Sequence, residues 1–262
     1  MNALVIAIHG ILTSQTDPSW PDRFDAWMYG RDREVKVLKK EYAAGPFPRW
    51  NCWVKDPRLA RSLANELELF LTRQATRDAS RFPLPNGLPS VWFVAHSNGA
   101  VIALLAAKRL IARGWRIGGL ILTGAACEAD LDRSAVLTWL QNGQLGAAIA
   151  YCSADDLVLD GAVSFANSRC GLRTLKEWFW GKLMWPYGCL GRTGWMRGGE
   201  TFPPPTISQS TPGQRLFTRW FPGGHTSYFQ PANLEHTFEQ IYRDIQHAER
   251  RQEQTLRPQL RP

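Results

Sequence analysis

Ser97 lies in Ala95-His96-Ser97-Asn98-Gly99, a serine flanked two residues away on each side by small side chains. A serine hydroxyl is a weak nucleophile at neutral pH and needs a histidine within hydrogen-bond reach to take its proton. The chain has five histidines. His225 stands in the loop Phe221-Pro222-Gly223-Gly224-His225-Thr226-Ser227, where the glycines let an imidazole be carried back toward another loop. His236 and His247 read as solvent-side helix residues, His9 as shaping the first loop and His96 as packing beside the serine. A histidine in this role also needs a carboxylate to hold one tautomer. The doublet Asp155-Asp156 in Ser153-Ala154-Asp155-Asp156-Leu157-Val158 offers one.

The surrounding pattern has to position these groups. Residues 3–8 and 91–95 are short, continuously apolar runs, as expected of strands covered on both faces. Val35 to Tyr42 carries Lys36, Lys39 and Lys40, which suits a strand nearer the sheet edge. A loop rich in Trp, Asp and Pro is expected between the first two strands. Asp56-Pro57 opens an amphipathic helix over 58–77, with Leu59, Leu63, Leu67, Phe70 and Leu71 at helical spacing. Helix 98–113, strand 118–124, helix 132–142, strand 147–152, a strand around 215–220 and a helix from Pro231 continue the alternation. Strands separated by helices imply βαβ crossovers, hence an α/β fold with a mainly parallel sheet of about six strands and helices on both faces. Ser97 then falls where a strand ends and a helix begins, a turn that projects the hydroxyl outward and aims helix N-terminal amides at developing negative charge.

The order His9-Gly10 after the first strand, then Ala95-His96-Ser97-Asn98-Gly99, then an acid, then His225 resembles the α/β-hydrolase superfamily. The likeness is to compact lipase-like and GPI-inositol-deacylase-like serine esterases, over about residues 3–247. Ala95 stands where glycine is commoner. The resemblance implies a Ser-Asp-His triad. In the family the acid is followed by one variable residue and two apolar ones, a register that selects Asp155 and puts Asp156 in the variable place. Some lipases take the acid from the preceding strand, which keeps Glu128 and Asp130 as alternatives. The resemblance also implies an oxyanion hole made by the backbone N–H groups of Asn98 and Ile11.

The expected activity is cleavage of carboxylic esters through an acyl-enzyme, as an esterase or lipase. Thioester cleavage or acyl transfer on the same triad is the alternative, and a non-catalytic binding protein of the same shape is a reading from another class. Side chains and water complete this chemistry, so no cofactor or metal is expected. The partner is a small-molecule or lipid ester. The net charge of +8 reads first as a contribution to solubility and is also compatible with transient contact with a lipid surface, while no nucleic-acid-binding signature accompanies the dispersed basic residues.

Residues 1–249 read as one catalytic domain and 250–262 as a polar, disordered tail. Residues 178–205, with Trp178, Phe179, Trp180, Trp185 and Trp195, read either as an apolar cap or as a second small core. The same choice applies to Trp20, Trp27, Trp50 and Trp53. Cys52, Cys127, Cys152, Cys170 and Cys189 lack the spacing of a zinc site and read as free thiols, with a Cys170–Cys189 bridge as the alternative. With no leader or membrane-spanning run visible, a cytoplasmic location is expected.

Overall fold

A computed structural model describes residues 1–10, 19–40, 42, 54–78, 88–160, 188–197, 200–201 and 215–256. Six strands form one sheet: β1 (Ala3–Ile8), β2 (Val35–Lys40), β3 (Ser90–His96), β4 (Ile117–Thr123), β5 (Leu145–Cys152) and, after the hairpin strands described below, β8 (Leu216–Trp220). Their order across the sheet is β2-β1-β3-β4-β5-β8, and every adjacent pair is parallel. This is an α/β-hydrolase arrangement, and β2, with its lysines, is indeed an edge strand. A small antiparallel hairpin, β6 (Met196–Arg197) with β7 (Glu200–Thr201), stands apart from the sheet.

Strand alternation divides the core into two layers. Leu4, Ile6, Ile8, Phe93 and Ala95 face one layer, which is closed by α2 (Asp56–Asp78), α3 (Gly99–Ala112) and α4 (Val136–Gln141). Ala3, Val5, Ala7, Trp92 and Val94 face the other, closed by α1 (Trp20–Arg31) and a last helix, α6 (Pro231–Leu256). The short helix α5 (Leu190–Thr193) places Leu190 in the first layer, and Trp195 just beyond it is fully buried there. Trp195 is therefore a core residue rather than part of a cap. Trp178, Phe179, Trp180, Trp185, Trp50 and Trp53 lie outside the described residues, as do Cys52 and Cys170. Cys127, Cys152 and Cys189 are free thiols, the first two buried.

Two elements differ from the sequence expectation. The Trp, Asp and Pro-rich stretch after β1 contains α1, opened by Ser19, whose N–H and hydroxyl both donate to the Asp22 carboxylate. Its Trp20 stacks on Phe229, ring centroids 4.2 Å apart, and Trp27 lies against Phe238 and Tyr242. These contacts, not helical periodicity, hold the helix, which explains why the pattern did not announce it. Likewise α6 continues to Leu256, past Arg250, where a tail was expected. The Glu249 carboxylate accepts hydrogen bonds from Ser90 Oγ and Trp92 Nε1, and Gln252 donates to the Gly118 carbonyl, so polar anchors extend a helix whose apolar face has ended. Among the described residues no helix is long and apolar enough to cross a membrane.

The strand order fixes where a site can form. The chain leaves β1 for β2 on one side and comes back for β3 on the other, with α1 on one face of the sheet and α2 on the opposite face. The crossovers therefore turn to opposite faces at the carboxyl ends of the adjacent strands β1 and β3, the switch point at which sites form in such sheets. His9-Gly10 and Ser97 are the residues at those two ends.

Candidate active site

Ser97 occupies the one-residue step between β3 and the Asn98 cap of α3 and has φ 54°. It is the one non-glycine residue in the left-handed region among the described residues, a conformation that costs an L-residue about 1 kcal/mol or more. Three backbone hydrogen bonds hold it there: its N–H donates to the Thr123 carbonyl (3.0 Å), and its carbonyl accepts from Ala126 N–H (3.1 Å) and Ala100 N–H (3.2 Å). β4 and the loop after it thus pin the turn. Close approach from β1 requires two glycines. A Cβ on Gly10 would stand 2.7 Å from Ser97 Cβ, and one on Gly99 would stand 2.7 Å from the His9 carbonyl and 2.8 Å from that of Ile8.

The loop after β8 brings His225 over this turn. Its Nε2 lies 2.9 Å from Ser97 Oγ, and its Nδ1 lies 2.7 Å from Asp156 Oδ2. With Nδ1–H donating to the carboxylate, Nε2 is left to accept the serine proton. The other Asp156 oxygen accepts from Leu159 N–H at 2.9 Å, and the residue is fully buried. Ser153, at the end of β5, donates its hydroxyl to the Gly223 carbonyl, tying the acid loop to the histidine loop.

The structure thus brings Ser97 and His225 together as the sequence suggests, but sets Asp156 rather than Asp155 against the imidazole. Asp155 is exposed, its N–H donating to Ser153 Oγ at 3.2 Å. The register that selects Asp155 rests on the two apolar residues Leu157 and Val158. They are 75% and 46% exposed, so they do not mark which aspartate turns inward. Glu128 folds onto its own backbone, accepting from Ala129 and Asp130 N–H, and Asp130 accepts from Asp132 N–H. Neither is placed at His225.

Asn98 caps α3 and is buried, and its backbone N–H has no backbone acceptor among the described residues. Together with the α3 N-terminus it can face a developing oxyanion beside Ser97. Ile11 lies outside the described residues.

His96 has a part the sequence did not specify. Its Nε2–H donates to the His225 carbonyl at 3.0 Å, and the two rings are 4.9 Å apart. Complete burial, with His225 close by, pushes its pKa down to about 3, so it works as a neutral donor that positions the histidine loop. His236 and His247 are exposed on α6, as expected.

No family profile and no curated protein matches the chain. Solved structures similar to it include an uncharacterized protein from Bacillus cereus ATCC 10987, at 13% identity and TM-score 0.47, covering 92% of this chain and 58% of that one. The chain therefore spans little more than half the length of that protein. Others are human thioesterase 2 (11% identity, TM-score 0.45, 95% and 98% covered) and YbtT, the type II thioesterase of the yersiniabactin pathway (14%, 0.44, 94% of each). At the carboxyl ends of β3, β5 and β8, Ser97, Asp156 and His225 form one hydrogen-bonded chain of the kind that supports nucleophilic hydrolysis.

Proposed function

We propose that the protein is a serine hydrolase that cleaves acyl esters, of oxygen or of sulfur, through an acyl-enzyme. The observation that carries this reading is the chain Ser97 Oγ, His225 Nε2 and Nδ1, Asp156 Oδ2, with bonds of 2.9 and 2.7 Å, set on a strained strand-to-helix turn at the carboxyl end of β3.

As the Ser97 oxygen attacks the acyl carbon, its proton passes to His225 Nε2, and buried Asp156 stabilises the imidazolium that forms. The carbonyl oxygen becomes an oxyanion facing the Asn98 N–H and the α3 N-terminus. His225 then gives its proton to the leaving alcohol or thiol, leaving Ser97 acylated. Water, deprotonated by the same nitrogen, attacks the acyl carbon and releases the carboxylic acid and the free serine. Oxygen and sulfur esters pass through the same tetrahedral intermediate, so one set of residues serves both.

The test is labelling by a fluorophosphonate, together with hydrolysis of p-nitrophenyl esters of increasing chain length and of thioesters with the same acyl groups. Wild type is expected to label and turn over, and Ser97→Ala to do neither. A wild-type protein that neither labels nor hydrolyses any member of the series overturns the reading, and the better of the two matched substrates fixes the class.

A further inference from the structure

Behind the turn lies a second polar cluster that the triad does not use. The Asn98 carboxamide donates from Nδ2 to Asp56 Oδ1 at 3.1 Å and to the Tyr42 hydroxyl at 3.2 Å. Asp56, in the first turn of α2, is completely buried. The Tyr42 N–H donates to His9 Nε2 at 3.1 Å, and the two rings stack with centroids 5.1 Å apart. His9 completes the chain by donating from Nδ1 to the Gly10 carbonyl at 2.6 Å. Side chains from α2, from the end of β2 and from the end of β1 therefore converge on the residue that follows the nucleophile.

A buried carboxylate is costly unless it is well paired, and Asn98 supplies one of the hydrogen bonds that keep Asp56 in place. The bond also acts in the other direction. Asn98 is a cap residue whose side chain could turn to bond the α3 backbone, as asparagine commonly does at this position. No such cap bond is made. The carboxamide is held by Asp56 and Tyr42 instead, an anchor on Asn98 beside the two hydrogen bonds that the carbonyl of the same Ser97–Asn98 peptide accepts.

We infer that Asp56 is a positioning residue for the oxyanion site: through the Asn98 carboxamide it sets the direction of the Asn98 backbone N–H, with Tyr42 and His9 tying the β1 turn to the same point. This deepens the proposed hydrolase reading and rests on it. Because the donor matters only when the oxyanion forms, loosening it lowers kcat and leaves KM almost unchanged.

Asp56→Ser keeps an oxygen for the α2 N-terminus but withdraws it from Asn98, whereas Asp56→Asn keeps an acceptor within reach. The measurements are kcat and KM per active site, titrated with a fluorophosphonate, and the inhibition constant of a phenylboronic acid, whose tetrahedral adduct puts an oxygen where the oxyanion forms. Asp56→Ser is expected to lose about tenfold in kcat, a fraction of the effect of removing a donor outright, with KM little changed and boronate affinity weakened in parallel. Asp56→Asn is expected to recover most of both losses. If Asp56→Ser does not fold, Asn98→Ala gives the same comparison. A variant that unfolds at lower temperature yet keeps wild-type kcat and boronate affinity per titrated site overturns the inference. Wild-type labelling and turnover test the hydrolase reading, and the ratio of variant to wild type tests this one.

Discussion

Gly10 and Ser97 come so close that a single methyl group would not fit between them: a Cβ on Gly10 would lie 2.7 Å from that of Ser97. β1 thus reaches the nucleophile by backbone alone. Gly10→Ala is expected to push the β1 turn away from the serine, lowering ester turnover and costing about 1–3 kcal/mol of stability through overpacking. Gly99→Ala, whose Cβ would meet two carbonyl oxygens of β1 and its turn within 2.8 Å, should cost at least as much. Denaturant unfolding measures the loss, and turnover per titrated site shows how much of it reaches the chemistry.

The two neighbouring aspartates should behave very differently. Asp156→Asn removes the carboxylate from His225 Nδ1 and is expected to lower kcat about a thousandfold or more, whereas exposed Asp155→Asn should stay close to wild type. Ester hydrolysis by the two purified variants checks this, and equal losses would show that the doublet acts through its fold rather than through one carboxylate.

Much of this architecture is legible in the sequence. Apolar runs such as residues 3–8 and 91–95 are readable because strands buried on both faces leave no alternation to confuse the pattern. Ser97 and His225 are readable because a nucleophile turn and a glycine-rich loop leave local marks. The acid left none: Asp155 and Asp156 have the same chemistry one position apart, and only the path of the turn after Ser153 decides which faces inward. Helix α1 was hidden for a similar reason, since Trp20 and Phe24 are held by partners from the far end of the chain. The link from Asp56 to Asn98 also joins segments far apart in sequence, and spacing cannot reveal it.

His96 predicts a dependence on acid. Its folded pKa is near 3 against an ordinary 6.5, so between those values the unfolded chain holds a proton that the folded one does not. Its contribution to stability is therefore complete above pH 6.5 and falls as the pH drops toward 3, by up to about 1.4 kcal/mol per pH unit. His96→Gln, which retains an N–H donor but does not titrate, should lose less of its melting temperature than wild type between pH 6.5 and 4. Parallel melting curves over that range would contradict the assignment.

Stability and chemistry should separate at Asp244. Its carboxylate accepts from Tyr151 Oη at 2.7 Å and from Arg219 Nε at 2.6 Å, joining α6 to β5 and β8. Asp244→Ala leaves Arg219 without its counter-charge and is expected to cost about 3 kcal/mol, while kcat per titrated site stays near the wild-type value. Urea unfolding alongside turnover distinguishes the two effects.

The left-handed backbone at Ser97 sets the molecule's durability against its purpose. A glycine there would adopt φ 54° without steric cost, so Ser97→Gly is a place where the fold should gain stability by giving up its reaction. Any search for hardier versions of this protein that screens for survival on heating alone will be drawn toward that substitution, and will return robust scaffolds with no nucleophile unless turnover is selected at the same time.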